Sequence, residues 1–438
     1  MPLTVIIFLA LFTGGIVLAF IRHPVWGMMS YALSLYASPA HNWFGSYLPD
    51  LRWSLLASLC TLISIFVNKS HLVPKTPWLS TAPAKIIICY AIWMWIQLLW
   101  ALSYEAHIEG TILITKYIIL YYIIYRVLDN DSTFFTFIMF NLVGGFYISR
   151  RVLGYSMGGR VEGIGGPGIN DSNTLGMHMS VLLIFAGMML LKKNTLFRNN
   201  LHWRICQGII LISAVYIANS VVQTISRSAV LGILSGGALL MVIKHWTVKK
   251  RFYLYAACAF IGLLYYAPYT FWERLDTITE AAQGEEIEGS AYSRLVISKA
   301  QIEMFKENIF GHGHRGTAVL SPYFMPEEYL SVFEGKAGRA SHCTFLTTLT
   351  EQGLPGAILY VLMVIWAIRT IYGYSKDDPV MYLYLMSTAA SLAAIFISGI
   401  FVDYLKVEIQ VYCFAMLASL QDYQKRLRLK NYWKDYGE

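Results

Sequence analysis

The sequence predicts an all-α, polytopic integral membrane protein of about twelve transmembrane helices, and three observations carry that reading. Of 438 residues, 56% are hydrophobic and only 14% charged, where a soluble domain carries about 25% charged residues. Runs such as LTVIIFLALFTGGIVLAFI, AKIIICYAIWMWIQLLWALS, TLGMHMSVLLIFAGMMLL and MYLYLMSTAASLAAIFISGIF each approach the ~20 residues that cross a hydrocarbon core. Lysine and arginine collect in alternate connections between such runs, as they do in polytopic proteins.

In chain order, spans are expected near 3–21, 24–39, 53–67, 85–103, 110–128, 133–149, 174–192, 204–222, 228–245, 252–268, 348–372, 380–401 and 404–422. The first reads as a span and not a cleaved signal peptide: it has no basic start and no small-residue cleavage site, and further spans follow. Thirteen spans would place the N-terminus outside. If 24–39 or 53–67, both short, is re-entrant or interfacial, the count becomes twelve. The basic connections carry Arg22; Lys69, Lys75 and Lys85; Arg126; Lys192, Lys193, Arg198 and Arg204; Lys244, Lys249, Lys250 and Arg251; Arg369 and Lys376; and the tail QKRLRLK. They are expected on the cytoplasmic side with the C-terminus. The net charge of +8 is thereby explained by orientation, and no nucleic-acid partner is expected.

The chain 1–438 reads as a single membrane domain, without internal repeats or inverted halves. Its outer face carries a loop at 150–173, a very short link at Gln223–Arg227, and one long loop at 269–342. The long loop opens with the acidic TITEAAQGEEIEGSAYS. RLVISKAQIEMFKEN follows, in which Leu295, Ala300, Ile302 and Phe305 recur among charges at helical spacing. An amphipathic helix resting on the membrane surface or on the bundle is expected there, with Arg294 in its first turn.

Five cysteines (Cys60, Cys89, Cys206, Cys258, Cys413) lie in apolar runs, Cys343 borders a polar loop, and no CxxC spacing occurs. Neither a disulfide framework nor a Cys-type zinc site is expected. In GHGHRG (Gly311–Gly316), His312 and His314 could supply two metal ligands and His342 a third. No HExxH or comparable ligand set accompanies them. The stretch reads better as a structural turn, or as a backbone cradle for an anion, which its glycines permit. Asp129 and Asp131, in DND, resemble a nucleotide-sugar-binding pair but also suit an ordinary helix start.

Basic residues at the outer boundary are more informative. Arg227 begins a span on a connection too short to be a free loop. It either faces a polar cavity or snorkels to the interface. Arg160 lies in the turn-rich GGRVEGIGGPGINDSN, Arg315 ends the Gly-His turn, and Arg339 shortly precedes His342. Together with Arg294 they offer guanidinium forks suited to a diphosphate or another anion. His342 stands where the long loop meets an apolar helix. It suits a proton acceptor for an attacking hydroxyl, or a helix-start residue satisfied by backbone or water.

Four stretches, in this order and sidedness, resemble the O-antigen ligase and O-antigen polymerase superfamily of bacterial inner-membrane glycosyltransferases. They are the GPGINDSN loop, the span-edge SRS with Arg227, Arg294 with the helix ending in KENIFGHG, and HCTFLTTLTEQGLPG. The last two are similar to the family's NPxxGxG and HNxxLxxLxExGxxG, with Ile309 standing where proline is usual and Cys343 where asparagine is usual. The pattern spans roughly 160–360. The resemblance implies a glycosyltransferase C-like architecture in the Gram-negative inner membrane. It also implies a periplasmic, metal-independent, inverting transfer of O-antigen from undecaprenyl diphosphate to lipid A-core, without a cofactor. His342 falls on the family's catalytic histidine, and Arg227 and Arg294 on positions that bind the lipid diphosphate. Arg160 and Arg315 are expected to assist them. Gly311 and Gly313 fall on the family's GxG, leaving His312, His314 and Arg339 at the site edge. A polymerase or a protein O-glycosylation ligase would use the same donor. A polysaccharide transporter or flippase is the rival of another class; Lys116 inside a span favours it, and the lack of repeat symmetry opposes it.

Overall fold

A computed structural model of the protein describes residues 2–70, 72–155, 161–242, 289–333 and 336–436, with scattered positions between 253 and 272. The expected span 252–268, most of the acidic stretch before residue 289, and Arg160 fall largely or wholly outside the described residues.

Helices α1 (Leu3–Ile21), α2 (Gly27–Tyr36), α3 (Trp53–Val67), α4 (Ala82–Gln97), α5 (Tyr104–Val127), α6 (Asp131–Tyr155), α7 (Ser172–Leu191), α8 (Asn200–Gln223) and α9 (Arg227–Val242) lead the chain. They are followed by α10 (Gly289–Glu307), α11 (Gly316–Phe324), a two-stranded antiparallel hairpin of β1 (Ser331–Phe333) and β2 (Lys336–Gly338), then α12 (Thr344–Tyr372), α13 (Pro379–Ser398) and α14 (Glu408–Tyr436). Among the described residues, seven helices are long and apolar enough to cross a membrane, and three shorter apolar ones accompany them. The protein is thus a multi-pass membrane protein. The hairpin is a small departure from the expected all-α class.

Several boundaries move for local reasons. The fifth span begins at Tyr104 instead of residue 110, since the polar turn YEAHIE is still helical and buries His107. The last two apolar runs, expected to nearly abut, are separated by a non-helical link at 399–407. The final helix continues through the basic tail to Tyr436.

Helices α7 and α13 are the most enclosed of the apolar spans, whereas α1 and α8 leave most of their surface outward. Helix α9 lies against α13 through small residues at intervals of four. A Cβ on Gly232 would stand 2.6 Å from Ser398 Oγ and 3.2 Å from Ala394 O, and one on Gly236 would stand 2.8 Å from Ala390 O. Small-xxx-small faces let backbones approach where lipid supplies no hydrophobic drive between helices.

The two ends of the bundle differ. At one end, Lys75 Nζ donates to Leu128 O at 2.5 Å, Asp422 Oδ1 accepts from Thr76 N at 2.9 Å, and Lys192 Nζ meets Asp131 Oδ2 at 3.0 Å. These bonds tie the α3–α4, α5–α6 and α7–α8 connections to α14 and to one another. Asp129 is buried and bonded to the Thr133 hydroxyl, and Asp131 also accepts from Tyr384 OH at 2.7 Å. The DND segment is therefore a structural joint. The other end carries the 98–103 connection, the start of α12, the 399–407 link, and the cap made of α10 and α11.

Helix α12 breaks at Gly353 (φ 68°, ψ −173°). Pro355, two residues on, has no N–H to donate to the Glu351 carbonyl, as an unbroken helix would require. The carbonyls released there are taken by the turn between α10 and α11. His312 N donates to Thr350 O at 3.1 Å and Gly313 N to Glu351 O at 2.8 Å, while Leu354 N donates back to Ile309 O at 2.8 Å. Helix α4 reinforces the join: Trp93 Nε1 donates to Gln352 O at 2.6 Å, and Gln97 Nε2 to Phe310 O at 2.7 Å. Just beyond α4, Trp100 Nε1 donates to Gly311 O at 2.9 Å. A Cβ on Gly353 would stand 2.2 Å from Phe310 C and one on Gly311 2.4 Å from Gly353 N, so both positions need glycine for room as well as for positive φ. We expect Gly353→Ala to lower unfolding stability by about 3 kcal/mol through strain and overpacking. Denaturation in detergent checks this, and a loss below about 1 kcal/mol would mean that the join yields easily.

Candidate active site

The Gly-His turn is thus neither a free loop nor a phosphate cradle, because its amides at 312 and 313 are engaged by α12. His312 is 7% exposed and its Nε2 lies 2.8 Å from Met304 O. A carbonyl only accepts, so this nitrogen carries the proton, and the ring holds the end of α10 instead of lining an open edge. His314 N donates at 2.7 Å to Nδ1 of His107, whose Nε2 in turn meets Met94 O at 2.8 Å. These partners fix His107 as the Nε2–H tautomer.

The His314 side chain joins a charged cluster. Its Nδ1 lies 3.1 Å from Glu351 Oε2, and the Lys406 ammonium closes on the same ring. The ammonium lies against both ring nitrogens, so Nδ1 is shared between Lys406 and the Glu351 carboxylate. Asp403 stands beside this group, with its Oδ1 accepting from Leu405 N at 3.0 Å. Burial pushes the Asp403 carboxyl up to about 7; the Glu351 carboxylate adds to the rise, while the Leu405 amide, His314 and the Thr347 hydroxyl oppose it.

A second network ties the helix starts together. Ser228, beside Arg227 at the head of α9, bonds through Oγ to Tyr404 OH at 3.1 Å, and Tyr404 OH donates to Asn173 O at 3.3 Å. Tyr404 N donates at 2.8 Å to Thr344 Oγ1, which donates at 3.0 Å to Val402 O. Thr344 N donates at 2.7 Å to Gly399 O. The 399–407 link therefore clasps the start of α12, two residues from His342, and touches the starts of α7 and α9. Cys343 occupies the N-cap of α12 without a side-chain cap bond, so Thr344 and this link hold the helix end that a capping side chain would otherwise satisfy. Ile225, just before α9, has φ 48°, an uncommon conformation for a β-branched residue that sets the sharp turn into Arg227.

The cap is fastened to the same region. Ile297, Ala300 and Met304 of α10 pack with Met325, and Gln301 Nε2 donates to Ser341 Oγ at 3.0 Å. Of the expected stripe Ala300 is buried, whereas Leu295 and Ile302 stay exposed; the apolar residues pack within the cap, and Gln301 makes the link outward to Ser341. Arg339 Nη2 donates to Ser293 Oγ at 3.0 Å and Arg339 N to Ser321 Oγ at 2.7 Å, which brings Arg339 beside the residue preceding Arg294. Arg294 lies in the second turn of α10 and not the first, because the helix begins at Gly289.

Of the residues singled out in the sequence, Arg227, Arg294, Arg339 and His342 thus belong to the capped end of the bundle, and Arg227 and His342 flank one hydroxyl network. Arg315 is exposed and starts α11 in the left-handed conformation (φ 61°). Arg160 lies outside the described residues. Sequence reasoning missed His107, Glu351, Asp403, Tyr404 and Lys406. Glu351 was visible inside HCTFLTTLTEQGLPG, and DYLK was a charged interruption between two apolar runs. Among the described residues no group of three or more His, Cys, Asp or Glu side chains could hold a metal ion.

Residues 212–361 match the family described as O-antigen ligase. The matched stretch contains Arg227, Arg294, Arg315, Arg339, His342 and Glu351, while Asp403 and Lys406 lie beyond it. A search of curated proteins returns no match to the chain.

Because the Asp403 carboxyl is raised in the folded protein to about 7 from an ordinary value of about 4, the folded state holds a proton that the unfolded chain has lost within that window. Stability should then fall as pH rises from about 4 to about 7. In Asp403→Asn this slope should flatten, as thermal denaturation of purified protein across that range would reveal. An unchanged slope in the variant would remove Asp403 as its source.

Proposed function

We propose that this chain, whose residues 212–361 match the O-antigen ligase family, transfers an O-antigen glycan from undecaprenyl diphosphate to the lipid A-core acceptor at the periplasmic face of the inner membrane. The observation that carries the reading is the content of the matched stretch. It holds Arg227, Arg294 and His342 in order, and the helix starts beside Arg227 and His342 are joined through Ser228, Tyr404 and Thr344. Half-buried Lys75, buried Lys192 and the basic tail support a cytoplasmic opposite end, hence a periplasmic cap.

The reaction is a direct, inverting displacement without a metal. The acceptor hydroxyl oxygen forms a bond to the anomeric carbon as the bond from that carbon to the diphosphate oxygen breaks. The bonding pair leaves with the diphosphate. His342 takes the hydroxyl proton, which raises the nucleophile's charge as the bond forms. Arg227 and Arg294 hold the diphosphate and stabilise its growing negative charge, where fixed cations do more than mobile ions in water; Arg315, exposed at the mouth of the cap, and Arg160 assist. Both substrates are amphiphiles, so chemistry at the boundary between cap and bundle suits them.

In a ligase-deficient host that makes carrier-linked glycan, the intact protein should restore long-chain lipopolysaccharide bands. His342→Ala, at matched membrane levels, should lower them at least a hundredfold, in line with the loss of a general base. Absence of bands with both proteins would point to another acceptor, as in a polymerase or protein ligase. Equal restoration by both would remove His342 from the chemistry.

A further inference from the structure

We propose that Lys406, His314 and Glu351 form a charged latch that positions the α10–α11 cap, and with it Arg294, Arg315 and Arg339, over the end of the bundle. Its consequence for substrate binding rests on the glycan-transfer reading above; the latch itself does not.

The three side chains come from three separate parts of the chain. Glu351 stands on α12 next to its break, Lys406 on the link between α13 and α14, and His314 on the turn that leads straight into α11. The His314 ring meets the Glu351 carboxylate through Nδ1, and the Lys406 ammonium lies against both of its nitrogens. The Glu351 side chain is only 6% exposed and that of His314 21%. On the bundle side, Leu405 next to Lys406 lines an apolar cavity with Ile114, Tyr117, Tyr360 and Phe414, and Tyr117 OH donates to Lys406 O at 2.7 Å. Low polarity on that side strengthens the attraction between the charges.

The other links between cap and bundle named above are neutral: the backbone bonds at 309–313 and the bond from Gln301 to Ser341. They set where the preceding chain lies. The direction of α11 is set at His314, because the next residue, Arg315, turns through the left-handed region and caps that helix. Holding the His314 ring between Lys406 and Glu351 therefore fixes the path from which Arg315 projects and against which Ser321 fastens Arg339.

The charge balance says how the latch should fail. A half-broken buried pair is worse than none, because the remaining charge keeps its desolvation cost. Removing Glu351 leaves Lys406 against an imidazole; removing Lys406 leaves Glu351 beside the Asp403 carboxyl. Removing both leaves the His314 ring between neutral side chains. These groups act on the cap and not on the reacting atoms, so they are positioning residues.

The test uses the full-length protein in lipid nanodiscs, as parent, Glu351→Gln, Lys406→Met and the double variant. Protease cleavage within the cap and donor KM against kcat are both measured. Each single variant should raise cap cleavage and donor KM about tenfold with kcat within about twofold, and the double variant should return toward the parent, since contacting residues couple. Lys406→Arg, which keeps the charge, should stay close to the parent and serves where Glu351→Gln does not accumulate. Unchanged cap cleavage in the singles, a double variant worse than either single, or equal damage from Lys406→Arg and Lys406→Met would overturn the proposal. Cleavage needs no substrate. If it follows the expected pattern while the parent transfers no glycan, the latch stands and the glycan-transfer reading falls.

Discussion

The break in α12 at Gly353 is the constraint on which the rest of the capped end depends. A proline two residues later cannot donate to the Glu351 carbonyl, and a polar carbonyl buried without a donor is costly. The turn from Ile309 to Gly313 supplies donors, and α4 adds Trp93 and Gln97. One local rule about proline thereby welds α4, the chain before α11 and α12, and the 98–103 connection joins them as Leu102 N donates to His312 O. The two glycines at positive φ, Gly311 and Gly353, are what allow the backbones to touch there.

From that weld the chemistry-bearing groups take their places. The second half of α12 runs into the bundle, while its first half presents Thr344, two residues after His342, to the 399–407 link. Tyr404 carries the connection on to Ser228 beside Arg227. A network of hydroxyls suits this task. Each hydroxyl both donates and accepts, so several helix starts with orphan amides and carbonyls can be joined without burying net charge. Charge is instead concentrated one step away, in Lys406 and Glu351, which meet on the His314 ring.

The opposite end is held by different physics. Lys75, Lys192 and Arg426 bond to the Leu128 carbonyl, the Asp131 carboxylate and the Asp129 carbonyl of the α5–α6 connection and its edge. These bonds act on short links with little freedom to lose. They explain why the acidic DND segment, which could be mistaken for a ligand site, is occupied by its own neighbours.

Composition, the lengths of apolar runs and the alternation of basic connections determined by themselves that this is a helical membrane protein, because lipid admits few backbone solutions and those leave a plain imprint on hydropathy. The order of Arg227, Arg294 and His342 was also legible, since it is a property of the chain alone. What only the tertiary structure decided was which residues meet. Leu295 and Ile302 looked like the buried face of α10, yet the stripe through Ile297, Gln301 and Met304 faces inward, because the rotation of a helix is chosen by its partner. His312 and His314, two residues apart in the same turn, diverge for the same reason: one ring holds a carbonyl of α10, and the other enters a charged line whose remaining members are 37 and 92 residues away. Charge pairing across such separations has no period or spacing in a sequence, so Glu351 and Lys406 become readable only once the helices that bear them are packed.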